Sequence, residues 1–288
     1  MSTLYTTVMT HFAHHFWRSP ALPFVESRRA RDSSACYAPH THAALSLGAV
    51  DGGMSVFQRV RTRRTLVAGD VVLIPAGEVH SCNPVEDGRW SYQMLYLDPV
   101  WLGEVVGEIA ESGVRGAVVL NDLPPHLPAA QLHRALTGLN SLLFSALSDE
   151  DKEVALVLFA GDVFAAFDEV TVDRSPEQGG GHLAQVRELI SERCVESLPL
   201  DDLAREAALS RYHFVRAFRA RYGMTPHAWQ IDQRIVRARR LLDDGMSLVD
   251  AALQLGFADQ AHFQRAFKER VAVTPGAYRR GRRNFLQD

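Results

Sequence analysis

HFVRAFRARYGMTPHAW (213–229) and HFQRAFKERVAVTPGAY (262–278) fit one template, 49 residues apart. Each reads H-F-x-R-A-F, a basic residue, x-R, then T-P-x-A and an aromatic residue. Each copy closes a longer pattern, LDDLAREAALSRYHFVRAF (200–218) and LVDAALQLGFADQAHFQRAF (248–267). The pattern is a helix, a tight turn with a small residue (Ala208, Gly256) and a second helix, the order of a helix-turn-helix unit. The second turn runs one residue longer, because Ala204 matches Ala252 at a spacing of 48.

Helical periodicity fills the rest of this region. Helices are predicted over Leu183–Cys194, Leu200–Ala207, Ser210–Tyr222, Thr225–Leu242, Leu248–Leu255 and Asp259–Val271, with a short one from Thr274. Thr225 with Pro226, and Thr274 with Pro275, are N-cap and first-position pairs, and Gly245 is a stop. The helix over 225–242 would be about 27 Å long. Its stripe of Ala228, Ile231, Ile235, Ala238 and Leu242 offers each unit a packing face. A rod of that length suits two reading helices in grooves about 34 Å apart, one turn of DNA.

Within each second helix, Phe214 and Phe218, and Phe263 and Phe267, stand at i and i+4 and are read as core. The opposite face of the first copy carries Arg211, Tyr212, Val215, Arg216 and Arg219. That of the second carries Gln260, Ala261, His262, Gln264, Arg265 and Lys268. Arg pairs bidentately with guanine and Gln with adenine, so these are candidate base contacts. Arg219, Lys268 and the helix starts at Thr225 and Thr274 are candidate phosphate contacts. His213 and His262 serve equally as packing residues at the turns. Charge agrees with a polyanion partner: residues 183–288 hold 18 basic and 13 acidic side chains, whereas 1–182 hold 13 and 21.

Together, the two units, the connecting helix, GFADQAHFQRAFK and TPGAYR resemble the DNA-binding domain of the AraC/XylS family of bacterial transcription regulators. The resemblance covers 183–283. It implies a sequence-specific regulator, commonly an activator that contacts RNA polymerase. It places Arg216 and Arg265 at major-groove positions. Val215 departs from the polar residue often found at its position.

RSPEQGGG (174–181) cannot hold a packed element and reads as a linker. The expected division is 1–173, a linker over 174–182, and 183–288. Before the linker, ALSLGAV, MSVFQRV, TLVAG, DVVLIP and WSYQMLYL are short β-rich runs between about residues 35 and 98. In the last, Trp90, Tyr92, Met94 and Tyr96 share one face. Residues from about 99 to 168 read as helices, with stripes of Leu132, Leu136, Leu139 and Leu143, and of Val154, Leu158 and Phe164. These stripes point to packing on the barrel or on a second subunit, and a homodimer is expected. The fold class is therefore two-domain α+β: a small β-barrel with trailing helices, then an all-α domain.

PHTH (39–42) and GDVVLIPAGEVHSCN (69–83) resemble the two cupin motifs, the usual sensory barrel of that family. Gly69, Pro75, Gly77 and His80 sit at cupin spacing. His40 and His42 share a strand face, and with His80 they are candidate ligands for zinc or iron. Ser46 stands where cupin enzymes carry a glutamate, and the expected asparagine comes early, at Asn83. That argues against catalysis; the runner-up is nevertheless a metal-dependent cupin enzyme with a DNA-binding tail. Cys82 is a possible replacement ligand.

A lining of Tyr37, His40, His42, His80, Trp90, Tyr92 and Tyr96 suits a small polar effector with an apolar or cationic part. The stretch from CNP (82–84) to WSYQMLYLDPVWL (90–102) resembles regulators found beside amino-acid exporters, which makes an amino acid the effector to consider. HFAHH (11–15) reads as an arm or strand closing over the barrel. The absence of a signal-peptide pattern, of an apolar span and of paired cysteines (Cys36, Cys82, Cys194) leads to a cytoplasmic expectation.

Overall fold

The structure, a computed structural model, describes residues 14–60, 62–86, 88–109, 118–119, 129–164, 171–172 and 181–283. Most of the expected linker, 174–180, and residues 11–13 of the HFAHH stretch lie outside them. No described helix is long and apolar enough to cross a membrane.

The N-terminal half is an antiparallel sheet of seven strands: β1 (His14–Ser19), β2 (Leu22–Ser33), β3 (Leu45–Arg59), β4 (Arg63–Val67), β5 (Val71–Ile74), β6 (His80–Pro84) and β7 (Trp90–Leu97). The path runs β1-β2-β7-β3-β4, and β5 and β6 also pair with β3. Strand β3 organises the barrel. Its first half pairs with β7 and β5, its second half with β4 and β6. The sequence suggested two strands here, 44–50 and 54–60. The chain instead runs on through a register shift between Val50 and Gly52. Gly53 makes this possible: its φ is +74°, and a β-carbon there would stand 2.1 Å from the Arg89 carbonyl oxygen.

The β1–β2 hairpin corrects the sequence reading, which began its strands near residue 35. Alternation in β2 directs Val25 into an outer core, and turns Glu26, Arg28 and Ala30 the opposite way. Glu26 pairs with Tyr96, Arg28 with Met94 and Ala30 with Tyr92 across β7, so all six share one face. The other face of β7 carries Leu95 and Leu97, buried against the trailing helices.

Those helices are α1 (Pro99–Ile109), α2 (Ala129–Leu143) and α3 (Asp149–Phe164). A two-stranded ribbon, β8 (Val118–Val119) with β9 (Thr171–Val172), accompanies them. Leu132, Leu136, Leu139 and Leu143 are buried as the spacing predicts. On α3 the buried stripe is Leu156, Phe159, Ala160 and Val163 with Phe164; Val154 and Leu158 are exposed, contrary to expectation. Phe164 is buried as the spacing predicts, whereas Val154 and Leu158 fall out of phase, because an apolar run offers more than one helical face.

The C-terminal half is helical: α4 (His182–Glu192), α5 (Leu200–Glu206), α6 (Arg211–Tyr222), α7 (Pro226–Asp243), α8 (Leu248–Gln254), α9 (Gln260–Val271) and α10 (Pro275–Arg283). The starts are set by side-chain caps. Ser210, Thr225, Ser247 and Asp259 each accept a bond from the amide three residues on. Both tight turns place their small residue in the left-handed region, Ala208 at φ +54° and Gly256 at +70°. At Gly256 a β-carbon would stand 2.5 Å from the Val195 carbonyl oxygen. Phe214 and Phe218 fill the core of the first unit, and Phe263 and Phe267 that of the second. Each such ring contributes about 2–3 kcal/mol by leaving water.

Helix α7 belongs to both units. Trp229 packs in the first core; Ile231, Ile235, Ala238 and Leu242 pack in the second. Its remaining face, Asp232, Val236, Arg239 and Asp243 at steps of four, three and four, meets the barrel. The barrel also lends a residue to each core, Val79 to the first unit and Phe16 to the second.

Candidate effector cavity and DNA-reading face

The cupin-like motifs meet through backbone bonds. His40 and His80 exchange both amide-to-carbonyl bonds, at 3.0 and 3.1 Å, and the Gly77 amide donates to the His42 carbonyl at 2.7 Å. The pairing sets three imidazoles together, with ring centroids 4.5–5.0 Å apart. They edge a cavity of about 50 Å³. All seven side chains singled out for the effector line it: Tyr37, His40, His42, His80, Trp90, Tyr92 and Tyr96. Cys82 lines it too, and burial pushes its thiol up to about 12. Asn83 does not; it clamps the Tyr37 backbone through both amide atoms. Ser46 is buried elsewhere, bonded to the Ala44 carbonyl.

The remaining walls were missed. Glu26 and Arg28 come from β2, and Asp232, Ile235, Val236 and Arg239 from α7. Arg270 and Val271 come from the end of α9. The two halves of the chain therefore build one cavity. Glu26 sits between two guanidiniums, accepting from Arg239 at 2.9 and 3.0 Å and from Arg18 at 2.5 Å. Burial favours its neutral form, but Arg18 and Arg239 overcome that and hold the carboxyl below its usual range. Arg18 reaches Asp243 and Tyr278 as well. Nearby, Asp232 accepts from the Thr41 hydroxyl at 2.6 Å and its amide at 3.2 Å. The sequence signal for this face was the Asp232, Val236, Arg239, Asp243 spacing, which reads as a solvated stripe until something packs on it.

The ligand nitrogens of His40, His42 and His80 lie within 4.8 Å of one another. His40 Nδ1 bonds the Ala38 carbonyl and His80 Nδ1 the Glu78 carbonyl, which leaves their Nε2 lone pairs free. Burial pushes all three pKa values down, His80 to about 4, and neighbouring imidazoles add to this for His40 and His42. The trio is neutral at pH 7. A divalent ion fits the nitrogens better than the field. Arg28 and Arg239 act on both His40 and His42, and Arg239 approaches His42 Nδ1 at 3.4 Å. No carboxylate joins the three histidines as a fourth ligand among the described residues.

On the outer surface, Arg211, Tyr212, Arg216 and Arg219 of α6 are exposed, as are Arg265 and Lys268 of α9. Gln260, His262 and Gln264 are half-buried. Arg216 donates to the Tyr212 hydroxyl at 2.7 Å and lies over its ring, which pre-orders both. Arg211 pairs loosely with Asp201 across the surface. His213 is exposed and bonds Ser210, while His262 packs edge-on against Phe257. Ala261 and Val215 complete the two faces without polar groups.

Residues 24–153 match the family model for the AraC-like ligand binding domain, and 203–281 that for a helix-turn-helix domain. The chain belongs to the AraC family. It is a DNA-binding transcriptional regulator with an N-terminal ligand-binding domain. It is 26% identical over 245 residues to YbfI of Bacillus subtilis, an uncharacterized HTH-type transcriptional regulator, covering 82% of this chain and 85% of that one. Over 62 residues it is 42% identical to Ada of Escherichia coli, a bifunctional transcriptional activator and DNA repair enzyme, covering 22% and 18%. Its fold is similar to that of apo ToxT from Vibrio cholerae, with a TM-score of 0.56, 14% identity, and 89% and 97% covered. ToxT has also been solved with an unsaturated fatty acid bound.

Proposed function

We propose that a small effector held in the barrel cavity sets how the two helix-turn-helix units meet DNA. One observation carries this: the cavity is walled jointly by the barrel, by α7 between the two units and by the end of α9. An occupant contacts both halves, so its differential affinity for two arrangements shifts their balance. About 50 Å³ admits a few waters or a compact ligand. A long acyl chain such as ToxT accepts would require the walls to part. An amino acid is the first class to screen. A compound that raises the melting temperature of the full chain should also change its affinity for a selected operator. A protecting compound that leaves operator affinity untouched would break the link.

In this reading residues 1–173 sense the effector and dimerise, 174–182 connect, and 183–288 read DNA, in the cytoplasm and without catalysis. Contact with RNA polymerase and activation follow the family habit. The homodimer is assigned to α3, where Val154, Val157 and Leu158 are exposed at i, i+3 and i+4. Leu158→Asp should halve the mass seen by sedimentation; an unchanged mass would move the dimer elsewhere or remove it.

A metal at His40, His42 and His80 is the second reading, favoured by the convergence of their nitrogens. It would supply a Lewis-acidic centre for the effector. Purified, untagged protein should then hold near one zinc or iron per chain, lost in His42→Ala. Less than a tenth of an equivalent after metal supplementation would reject it.

A further inference from the structure

A buried donor with no acceptor costs about 1–3 kcal/mol, so native folds rarely leave several around one space. Here two such atoms belong to side chains that line the same cavity, Arg28 Nε and Trp90 Nε1. They come from β2 and β7. A third lining donor, Arg270 Nε of α9, makes no hydrogen bond but faces Asp232 Oδ1 at 3.6 Å. The guanidinium of Arg28 stays charged in any protein.

The cations around the cavity and its mouth are not equally paired. Arg18 and Arg239 share Glu26, and Arg18 also has Asp243. Arg270 faces Asp232 at 3.6 Å and Glu269 at 3.7 Å. Arg28 is only 4% exposed, and among the described residues no carboxylate stands within ion-pair reach of it. Its terminal nitrogens donate to the Val271 carbonyl at 3.2 Å and to His14 Nδ1 at 2.9 Å, both uncharged acceptors. Its guanidinium also lies over the Phe16, Tyr37 and Tyr92 rings, 5.0–5.7 Å from their centroids, which attract the cation without neutralising it. An anion would complete such a site.

We propose that the cavity is built for a compact carboxylate, whose oxygens take the unused donors of Arg28 and Trp90 beside the loosely paired Arg270. The proposal rests on the effector reading of the cavity and names the chemistry of its occupant. A single guanidinium without a carboxylate of its own suits a monoanion, and Ile74, Met94 and Val236 in the same lining suit a short apolar body. Two of these side chains also tie the occupant to DNA reading. Arg270 lies in the last turn of α9, and Arg28 holds the Val271 carbonyl at the end of that helix. A carboxylate that draws on these groups therefore acts on the anchor of the second reading helix.

The test uses full-length, chelator-treated protein labelled with 5-fluorotryptophan, with the Trp90 signal assigned through Trp90→Phe. Two matched sets are titrated: propanoate, propanamide and propylammonium; then benzoate, benzamide and benzylammonium. In at least one set the carboxylate should shift the Trp90 signal saturably, about tenfold more tightly than its partners, as expected for charge-assisted bonds. Arg28→Gln should weaken it about tenfold or more. Should that variant unfold, Arg28→Lys and Arg270→Gln carry the same comparison, each with an expected loss of at least threefold. Amides or ammonium ions that bind as well as carboxylates would overturn the proposal and leave the cavity an effector site. No shift of Trp90 by any of the six would overturn both.

Discussion

Arg265→Ala should lower affinity for a selected operator by about 5- to 150-fold, or about 1–3 kcal/mol, and relax preference at one base pair. Arg216→Ala should do the same at a second position about one helical turn away. The two arginines occupy matched sites in α6 and α9, each exposed on a helix anchored from behind by two buried phenylalanines. An exposed arginine on a fixed helix can present its fork to guanine without first breaking a buried pair. Arg216 is in addition ordered by Tyr212, so Tyr212→Phe should retain the stacking and lose part of the order. Fluorescence anisotropy on matched and scrambled duplexes separates the roles. A loss equal on both duplexes, with a salt dependence reduced by about one phosphate contact, would reassign the arginine to the backbone. No loss on either would remove it from the interface.

The helical half was legible almost residue by residue, because its boundaries are written locally. Ser210, Thr225 and Asp259 cap their helices through their own side chains, and Ala208 and Gly256 mark the turns by their place in the repeat. The seven cavity residues were legible for a similar reason: strand alternation and the paired histidine motifs fix a face before any partner is known.

What escaped was long-range. LPFVESRRARDS (22–33) carries too many charges to read as a strand, yet Glu26 and Arg28 point inward because α7 and α9 bring them partners from more than 200 residues away. Asp232 and Arg239 escaped for the reciprocal reason. A charged side chain is read as solvated unless its counter-charge is visible nearby, and these counter-charges lie in the other half of the chain. The phase of α3 escaped because Val154, Leu156, Val157, Leu158 and Phe159 offer several apolar faces, and packing against α1 and α2 selects one.

Glu26→Gln should part the two halves. Among the described residues the carboxylate is the anion that Arg18 and Arg239 share, beside the neutral Tyr278 hydroxyl, and it joins β2 to α7 at the mouth of the cavity. Removing its charge leaves two largely buried guanidiniums around a neutral amide. The loss is about 3 kcal/mol for a pair broken on one side, reduced where Asp243 still serves Arg18. The barrel and the helical units keep their own cores, so the loss falls on the contact between them. Calorimetry should show the melting transition broaden or split, and hydrogen exchange should rise at Thr41 and along α7. The double variant Glu26→Gln, Arg239→Met removes one of the stranded charges and should recover part of the loss, a coupling of about 1–2 kcal/mol. If Glu26→Gln melts as the wild type does, the ion cluster does not hold the halves together. The cavity would then communicate with DNA through contacts such as Thr41–Asp232, Ala38–Glu269 and Arg28–Val271. If the halves part and operator affinity moves with them, the same carboxylate that closes the cavity also sets how the reading helices are presented.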